Sequence, residues 1–235
     1  MTKPPAPTPG VFDQAFLIGV EGVTEVLLIR HGQQDIDFNG PIGEVMDPPL
    51  SDHGLAQAAL LGEALSTTHL DAIFASPLRR AMKTAQAVQK HHKHLELDVM
   101  DDLEEVRIFE HVPPEKTALE FFGKDLLMAV RQRMLQERSW DVYPNSESSF
   151  DFRKRAVNAV ETAIARNVGE RIAIVCHGGV INAYIGHIVR SSYDMFFRPG
   201  HTSVSVVASG GERRILRTAN DTNHLRTPEG DFATY

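Results

Sequence analysis

The sequence predicts a three-layer αβα sandwich around a mostly parallel sheet, and two observations carry that prediction. Short apolar runs without polar alternation recur along the chain, and between them apolar residues return at helical spacing. Val26-Leu27-Leu28-Ile29, Asp71-Ala72-Ile73-Phe74-Ala75 and Arg171-Ile172-Ala173-Ile174-Val175 read as strands buried on both faces. Strands that alternate with helices make a parallel sheet covered on both sides.

The elements follow in order. Pro4, Pro5, Pro7 and Pro9 mark residues 1–22 as a flexible Pro-rich tail and lead-in, and 23–235 as a single domain. After the first strand, the segment from Phe38 to Pro49 is rich in Gly and Pro and is expected to form a loop. Ser51-Asp52-His53-Gly54 opens a helix that places Leu55, Ala58, Ala59 and Leu65 on its apolar side. Further helices are expected from Arg80 to His91, Thr117 to Leu135, Asp151 to Arg166 and from Gly179 onward. The second of these belongs to an inserted helical segment around 106–148. Thr202 to Ala208 and Arg213 to Thr218 are short and β-rich.

Composition excludes several classes of partner. With 24 Lys and Arg against 31 Asp and Glu the net charge is −7, which argues against a nucleic-acid binder and against docking on anionic lipid. Of the basic residues 17 are Arg and 7 are Lys. Cys176 is the one cysteine, so no intramolecular disulfide or multi-Cys zinc site forms. No apolar run approaches the roughly 18 to 20 residues that span a bilayer. Asp13 interrupts the apolar residues after the Pro-rich start, so no secretory core is read there and the protein is expected to be cytoplasmic. The oligomeric state is open, a homodimer included.

In a parallel sheet, ligands bind beyond the carboxyl ends of the strands. After the first strand comes Arg30-His31-Gly32, after the second Ser76-Pro77-Leu78-Arg79-Arg80, and after the third His177-Gly178-Gly179. Two histidines and at least two arginines at one sheet edge suit a phosphoryl group. Arg offers planar, permanently charged donors, His is a nucleophile or a donor, and a helix opening near Gly179 adds its positive end.

These residues carry a family resemblance. Leu28-Ile29-Arg30-His31-Gly32 resembles the Arg-His-Gly motif of the histidine phosphatase superfamily, which includes the cofactor-dependent phosphoglycerate mutases. Pro49 to Ala58 and Ser76 to Ala85 look like its next two blocks, the functional arginine of the latter falling on Arg80. Leu103-Glu104-Glu105 is similar to the Leu-x-Glu that selects Glu105, and Cys176-His177-Gly178-Gly179 to the block of the second histidine. His201-Thr202-Ser203-Val204 and Asn220 to Leu225 resemble the closing blocks.

The resemblance implies a phosphoglycerate mutase-like sandwich and a metal-independent phosphomonoester hydrolase that acts on a small phosphorylated metabolite and needs no cofactor. His31 would attack phosphorus and form a phosphohistidine. Arg30, Arg80 and a protonated His177 would bind the phosphoryl oxygens, and Glu105 would protonate the leaving group. Gln34 is a further substrate-binding candidate. The family pattern is departed from at Gln33-Gln34 and at Asp37, which stands at the offset of a family Asn; Asp37 points away, or Asn39 or a Gln takes over.

Other readings stand beside this one. A mutase carries Arg-His-Tyr-Gly directly after the glutamate, where this chain has Val106-Arg107-Ile108-Phe109. A cysteine-dependent phosphatase built on Cys176 needs an Arg six residues on, where Asn182 stands. A non-catalytic phospho-ligand binder on the same fold would lack the nucleophile or the acid. Phe109, Phe121 and Phe122 either line a pocket for an apolar moiety or belong to the core. His91-His92-Lys93-His94 and Arg153-Lys154-Arg155 read as solvated surface rather than as sites.

Overall fold

The computed structural model describes residues 9–228 and 230–235. Its main sheet has six strands: β1 (Thr24–Arg30), β2 (Ala72–Ala75), β3 (Leu97–Val99), β4 (Arg171–Cys176), β5 (Val204–Gly210) and β6 (Arg213–Asp221). Their spatial order is β3-β2-β4-β1-β5-β6. The first four of that order run parallel, and β5 and β6 continue the sheet antiparallel.

The residues of β1 show why the sheet is covered on both faces, because successive side chains of a strand point to opposite sides. Val26 and Leu28 pack with Ile172, Ile174 and Phe74 against Phe152, Ala156, Val180 and Tyr184. Leu27 and Ile29 pack with Ile73, Ala173 and Val175 against Leu61, Leu65, Ala85 and Val88. The first set of partners lies on α7 (Ser149–Arg166) and α8 (Gly178–Val189), the second on α3 (Asp52–Leu65) and α4 (Arg79–Gln89). Burying each such Leu, Ile or Val stabilises the fold by about 1.5–3 kcal/mol. The remaining helices are α1 (Val11–Ala15), α2 (Ile42–Met46), α5 (Ala118–Phe122) and α6 (Lys124–Glu137), and a two-strand ribbon of β7 (Arg226–Thr227) and β8 (Gly230–Asp231) lies near the end.

Two expectations change. Residues 1–8 lie outside the described residues, but the lead-in after them is docked: α1 forms, Leu17 is buried, and Arg213 and Arg217 donate to the carbonyls of Gln14 and Leu17. The single helix expected from Thr117 to Leu135 is two, α5 and α6, broken at Gly123. There φ is +76°, a left-handed value that glycine adopts without a Cβ clash. Thr117 and Glu120 close a reciprocal cap at the start of α5. The three-residue edge strand β3 was not expected, since Leu97-Asp98-Val99 is too short to show a pattern. No helix among the described residues is long and apolar enough to cross a membrane.

The register of the central pair positions the site. Arg30 pairs with Cys176, so His31 and His177 leave the sheet side by side, and the His31 N–H donates to the Cys176 carbonyl. On the other side of β4 the Ser76 N–H donates to the Val175 carbonyl, which brings the end of β2 level with the same edge.

Candidate active site

His31 is buried, and its ring is oriented from both ends. Nδ1 lies 2.7 Å from the Gly32 carbonyl and donates its proton there, which leaves the lone pair on Nε2. Arg80 Nε donates to that Nε2 at 3.2 Å. Burial, then the nearby Arg80, His177 and Arg30, hold the imidazole well below its ordinary pKa of 6.5, so it is neutral near pH 7. Thr84 ties the two elements together, accepting the Gly32 N–H and donating to the Arg80 carbonyl.

Arg80 is buried in the first turn of α4, where Nη1 also reaches the Met46 carbonyl. Arg30 ends β1 and gives Nη1 to the Pro199 carbonyl, while its Nε is buried without a hydrogen-bond partner. Burial is the largest cause that lowers its pKa to about 10, still far above neutrality.

His177 is the N-cap of α8, with its ring centroid 5.1 Å from that of His31. Its Nε2 lies 2.8 Å from Ser76 Oγ. Ser76 Oγ also accepts the Leu78 N–H, and His177 Nδ1 is a buried atom without a hydrogen-bond partner. Burial, then Arg80, Arg30 and Arg155, push the His177 pKa well below 6.5. In the unliganded site His177 is therefore neutral, where the sequence reading has it protonated on the phosphoryl group, and a phosphoryl dianion set among these groups would act in the opposite sense to the arginines.

Glu105 follows a 3₁₀ turn anchored by the buried Leu103. Its Oε2 accepts the Gly179 N–H and its Oε1 the Val106 N–H, both at 3.0 Å. A Cβ on Gly179 would stand 2.1 Å from Oε1, so the carboxylate can approach α8 only because that residue is glycine. Arg155 holds the loop from behind, donating to the carbonyls of Asp102, Glu104 and Glu105 and forming a buried bidentate pair with Glu147. The solvated surface expected at Arg153-Lys154-Arg155 holds for Lys154, which is exposed, and is corrected for Arg155. Arg153 is likewise engaged, with Asp194.

The remaining candidates sit elsewhere. Gln34 makes a backbone bridge to Leu50, and its buried Oε1 has no hydrogen-bond partner. Asp37 is exposed and accepts the Asn39 N–H in a local turn, the outcome in which it stays out of the site. Cys176 is fully buried, and burial pushes its thiol far up, the opposite of an activated nucleophile. His91 and His94 are exposed, whereas His92 is buried on the Leu65 carbonyl. Among the described residues no group of three or more His, Cys, Asp or Glu is arranged to hold a metal ion.

Sequence reasoning assigned no role to His201, whose buried ring lies 5.9 Å from that of His31. Gln57 Nε2 donates to Thr234 Oγ1, which lies 2.8 Å from His201 Nδ1, and His201 Nε2 is buried without a hydrogen-bond partner. Burial, then Arg30 and Arg198, hold its pKa down at about 3. His201 opens the block His201-Thr202-Ser203-Val204, and that third imidazole is the signal by which the sequence discloses it. Thr234 had no local signal. Unpartnered polar atoms on Arg30, His177 and His201 thus surround the nucleophile candidate, and buried groups of that kind call for a ligand.

Beside Arg80 and Glu105 a cavity of about 380 Å³ opens under α2. Phe109 lines it. Phe122 packs on Phe109 from outside at 5.3 Å, and Phe121 is exposed.

A family model described as histidine phosphatase superfamily (branch 1) matches residues 26–222. The chain belongs to that superfamily. As a histidine phosphatase it is 28% identical over 205 residues to a metal-independent phosphoserine phosphatase of Arabidopsis thaliana, covering 86% of this chain and 84% of the relative. It is 26% identical over 207 residues to phosphoserine phosphatase 1 of Hydrogenobacter thermophilus, covering 86% and 95%. Among solved structures, YhfR of Bacillus stearothermophilus superposes with a TM-score of 0.72 at 25% identity, covering 86% of this chain and 98% of that one. The fold is the α/β sandwich of phosphoglycerate mutase-like proteins, and the chain is a phosphatase-type enzyme.

Proposed function

We propose that this chain hydrolyses phosphomonoesters in two steps centred on His31. The observation that carries the reading is the pair of contacts on one imidazole, Nδ1–H to the Gly32 carbonyl and Arg80 Nε to Nε2, which leaves a neutral ring with its lone pair beside a permanent cation. With the ester bound, Arg80 turns from Nε2 to the phosphoryl oxygens, the freed Nε2 lone pair attacks phosphorus, the bond from phosphorus to the ester oxygen breaks, and Glu105 gives its proton to the departing alkoxide. Water then attacks the phosphohistidine and gives its proton to Glu105, releasing inorganic phosphate and neutral His31. Each Glu105 oxygen spends one lone pair on a backbone N–H, which leaves room for that proton.

Arg30, Arg80, His177 and His201 supply donors to the phosphoryl oxygens, where charge is spread in the transition state. The chemistry asks for no metal and no cofactor. In this reading residues 23–235 form one catalytic domain and the segment 106–148 walls the leaving-group side. Gln34 stays a candidate contact on the loop after β1. The relatives' names support a small phosphometabolite as substrate, and the reading includes a cytoplasmic location and no nucleic-acid partner.

The test is hydrolysis of an aryl phosphate by purified protein in a chelator. Turnover that disappears in His31→Ala supports the reading, and equal turnover in that variant contradicts it.

A further inference from the structure

We propose that the leaving group of the physiological substrate is an uncharged, largely apolar alcohol rather than an amino acid, a glycerate or another carboxylate-bearing alcohol. This rests on the phosphatase reading above and concerns the cavity of about 380 Å³ that shares Arg80 and Glu105 with the reacting centre. A leaving group departs on the side of the acid, so this cavity receives it. Ile42, Val45, Met46, Leu78, Ile108 and Phe109 form its walls.

The charges around it disfavour an anion. Apart from Arg80, the cation that lines the cavity is Arg107, and its Nε is already given to Glu104 at 3.1 Å. Glu104, Glu105 and Glu110 line it as well. A substrate carboxylate would lose water there and meet three carboxylates, and the cation beside them, Arg107, is already ion-paired with Glu104. An apolar chain loses nothing of that kind and gains burial.

The backbone has been shaped for the apolar wall. Phe109 stands at φ +60° and His111 at φ +65°, left-handed values that a bulky residue adopts only when its surroundings hold it. The bend turns the Phe109 ring onto Phe122, tilted at 39°, and onto Tyr143, edge-on at 85°. Ile42, Phe109 and Val112 thereby make a small apolar cluster apart from the two main cores.

The experiment compares kcat/KM of the full chain for n-propyl, n-butyl and n-hexyl phosphate with that for O-phosphoserine and 3-phosphoglycerate. Unactivated alkyl esters are the demanding choice, because their alkoxides are poorer leaving groups than those of the two carboxylated esters. The expected result is a rise of about threefold to fourfold per added methylene, with hexyl phosphate at least tenfold better than phosphoserine. Ile108→Arg, which adds a cation to the wall, is expected to lower the hexyl phosphate to 3-phosphoglycerate ratio at least tenfold. Faster His31-dependent turnover of phosphoserine or 3-phosphoglycerate than of hexyl phosphate would overturn the leaving-group class while leaving the phosphatase reading intact. No turnover of any ester, with no phosphate trapped on His31, would remove that reading and this inference together.

Discussion

Arg80 Nε donates to His31 Nε2 across 3.2 Å, so a permanent cation already sits on the nitrogen assigned to attack phosphorus. The planar guanidinium orients that nitrogen in the unliganded site and, when the ester binds, offers phosphoryl oxygens a rigid fork of donors, which the compact Lys ammonium does not reproduce. Arg80→Lys is expected to lower kcat/KM by about 10²–10³-fold, the usual cost of removing one preorganised donor. The pH profile adds a sign. His31 attacks only when neutral, and Arg80 is one of the causes that depress its pKa, second to burial. In Arg80→Ala the acidic limb of kcat/KM therefore moves to higher pH, measured between pH 4 and 8.

Stability should respond to the same buried imidazoles. His31, His177, His201 and His224 all titrate below 6.5 in the folded protein, with His201 at about 3 and burial the first cause in each. The unfolded chain takes up these protons near pH 6.5 and the folded chain does not, so unfolding binds protons and stability rises with pH. Their contribution is complete above about pH 6.5 and is lost as pH falls toward the folded values. Urea midpoints are expected to decrease from pH 7.5 through 6 to 5; a midpoint that holds or rises contradicts the assignment of neutral histidines.

Gly179 and Gly178 offer a matched pair. A Cβ on Gly179 would stand 2.1 Å from Glu105 Oε1, whereas at Gly178 the nearest atom is Arg30 Nε at 3.8 Å. Gly179→Ala is expected to cut kcat by at least 100-fold by displacing the acid, and Gly178→Ala by less than threefold, about the size of one ordinary contact. Steady-state kinetics of the two variants decides it.

Arg155 and Glu147 are about 90% buried and paired at 2.7 Å, so removing one partner strands the other. Arg155→Ala is expected to destabilise the fold by about 3–5 kcal/mol. The double variant Arg155→Met with Glu147→Leu should recover much of that stability. It should not recover kcat, because the three carbonyls of residues 102, 104 and 105 lose their common donor. Chemical denaturation beside steady-state kinetics separates the two effects.

Thr234 tests the third imidazole. Thr234→Val removes the hydroxyl that is hydrogen-bonded to His201 Nδ1, and is expected to reduce kcat severalfold with KM little changed, while Thr234→Ser restores it.

The residues explain what the sequence could and could not disclose. β1, β2 and β4 were legible because strands covered on both faces must be apolar throughout, and the ends of those strands placed Arg30, His31 and His177 at one edge. Arg80 was legible from its block. The break at Gly123 was passed over because glycine inside a helical pattern is tolerated more often than not, and the decisive left-handed φ belongs to the backbone. The contacts of Arg155 with residues 102, 104 and 105 and the Gln57–Thr234–His201 chain join residues more than 30 apart, so no local spacing announces them. The neutral state of His177 follows from burial beside two arginines, a property of the assembled site.

The central claim is covalent chemistry on His31, and the most direct measurement is a rapid acid-free quench of the enzyme turning over a ³²P-labelled phosphomonoester. The expected result is acid-labile, alkali-stable label approaching one phosphate per chain, mapped to the peptide that holds His31 and absent in His31→Ala. Steady turnover with no protein-bound label, or label on a peptide without His31, contradicts the account.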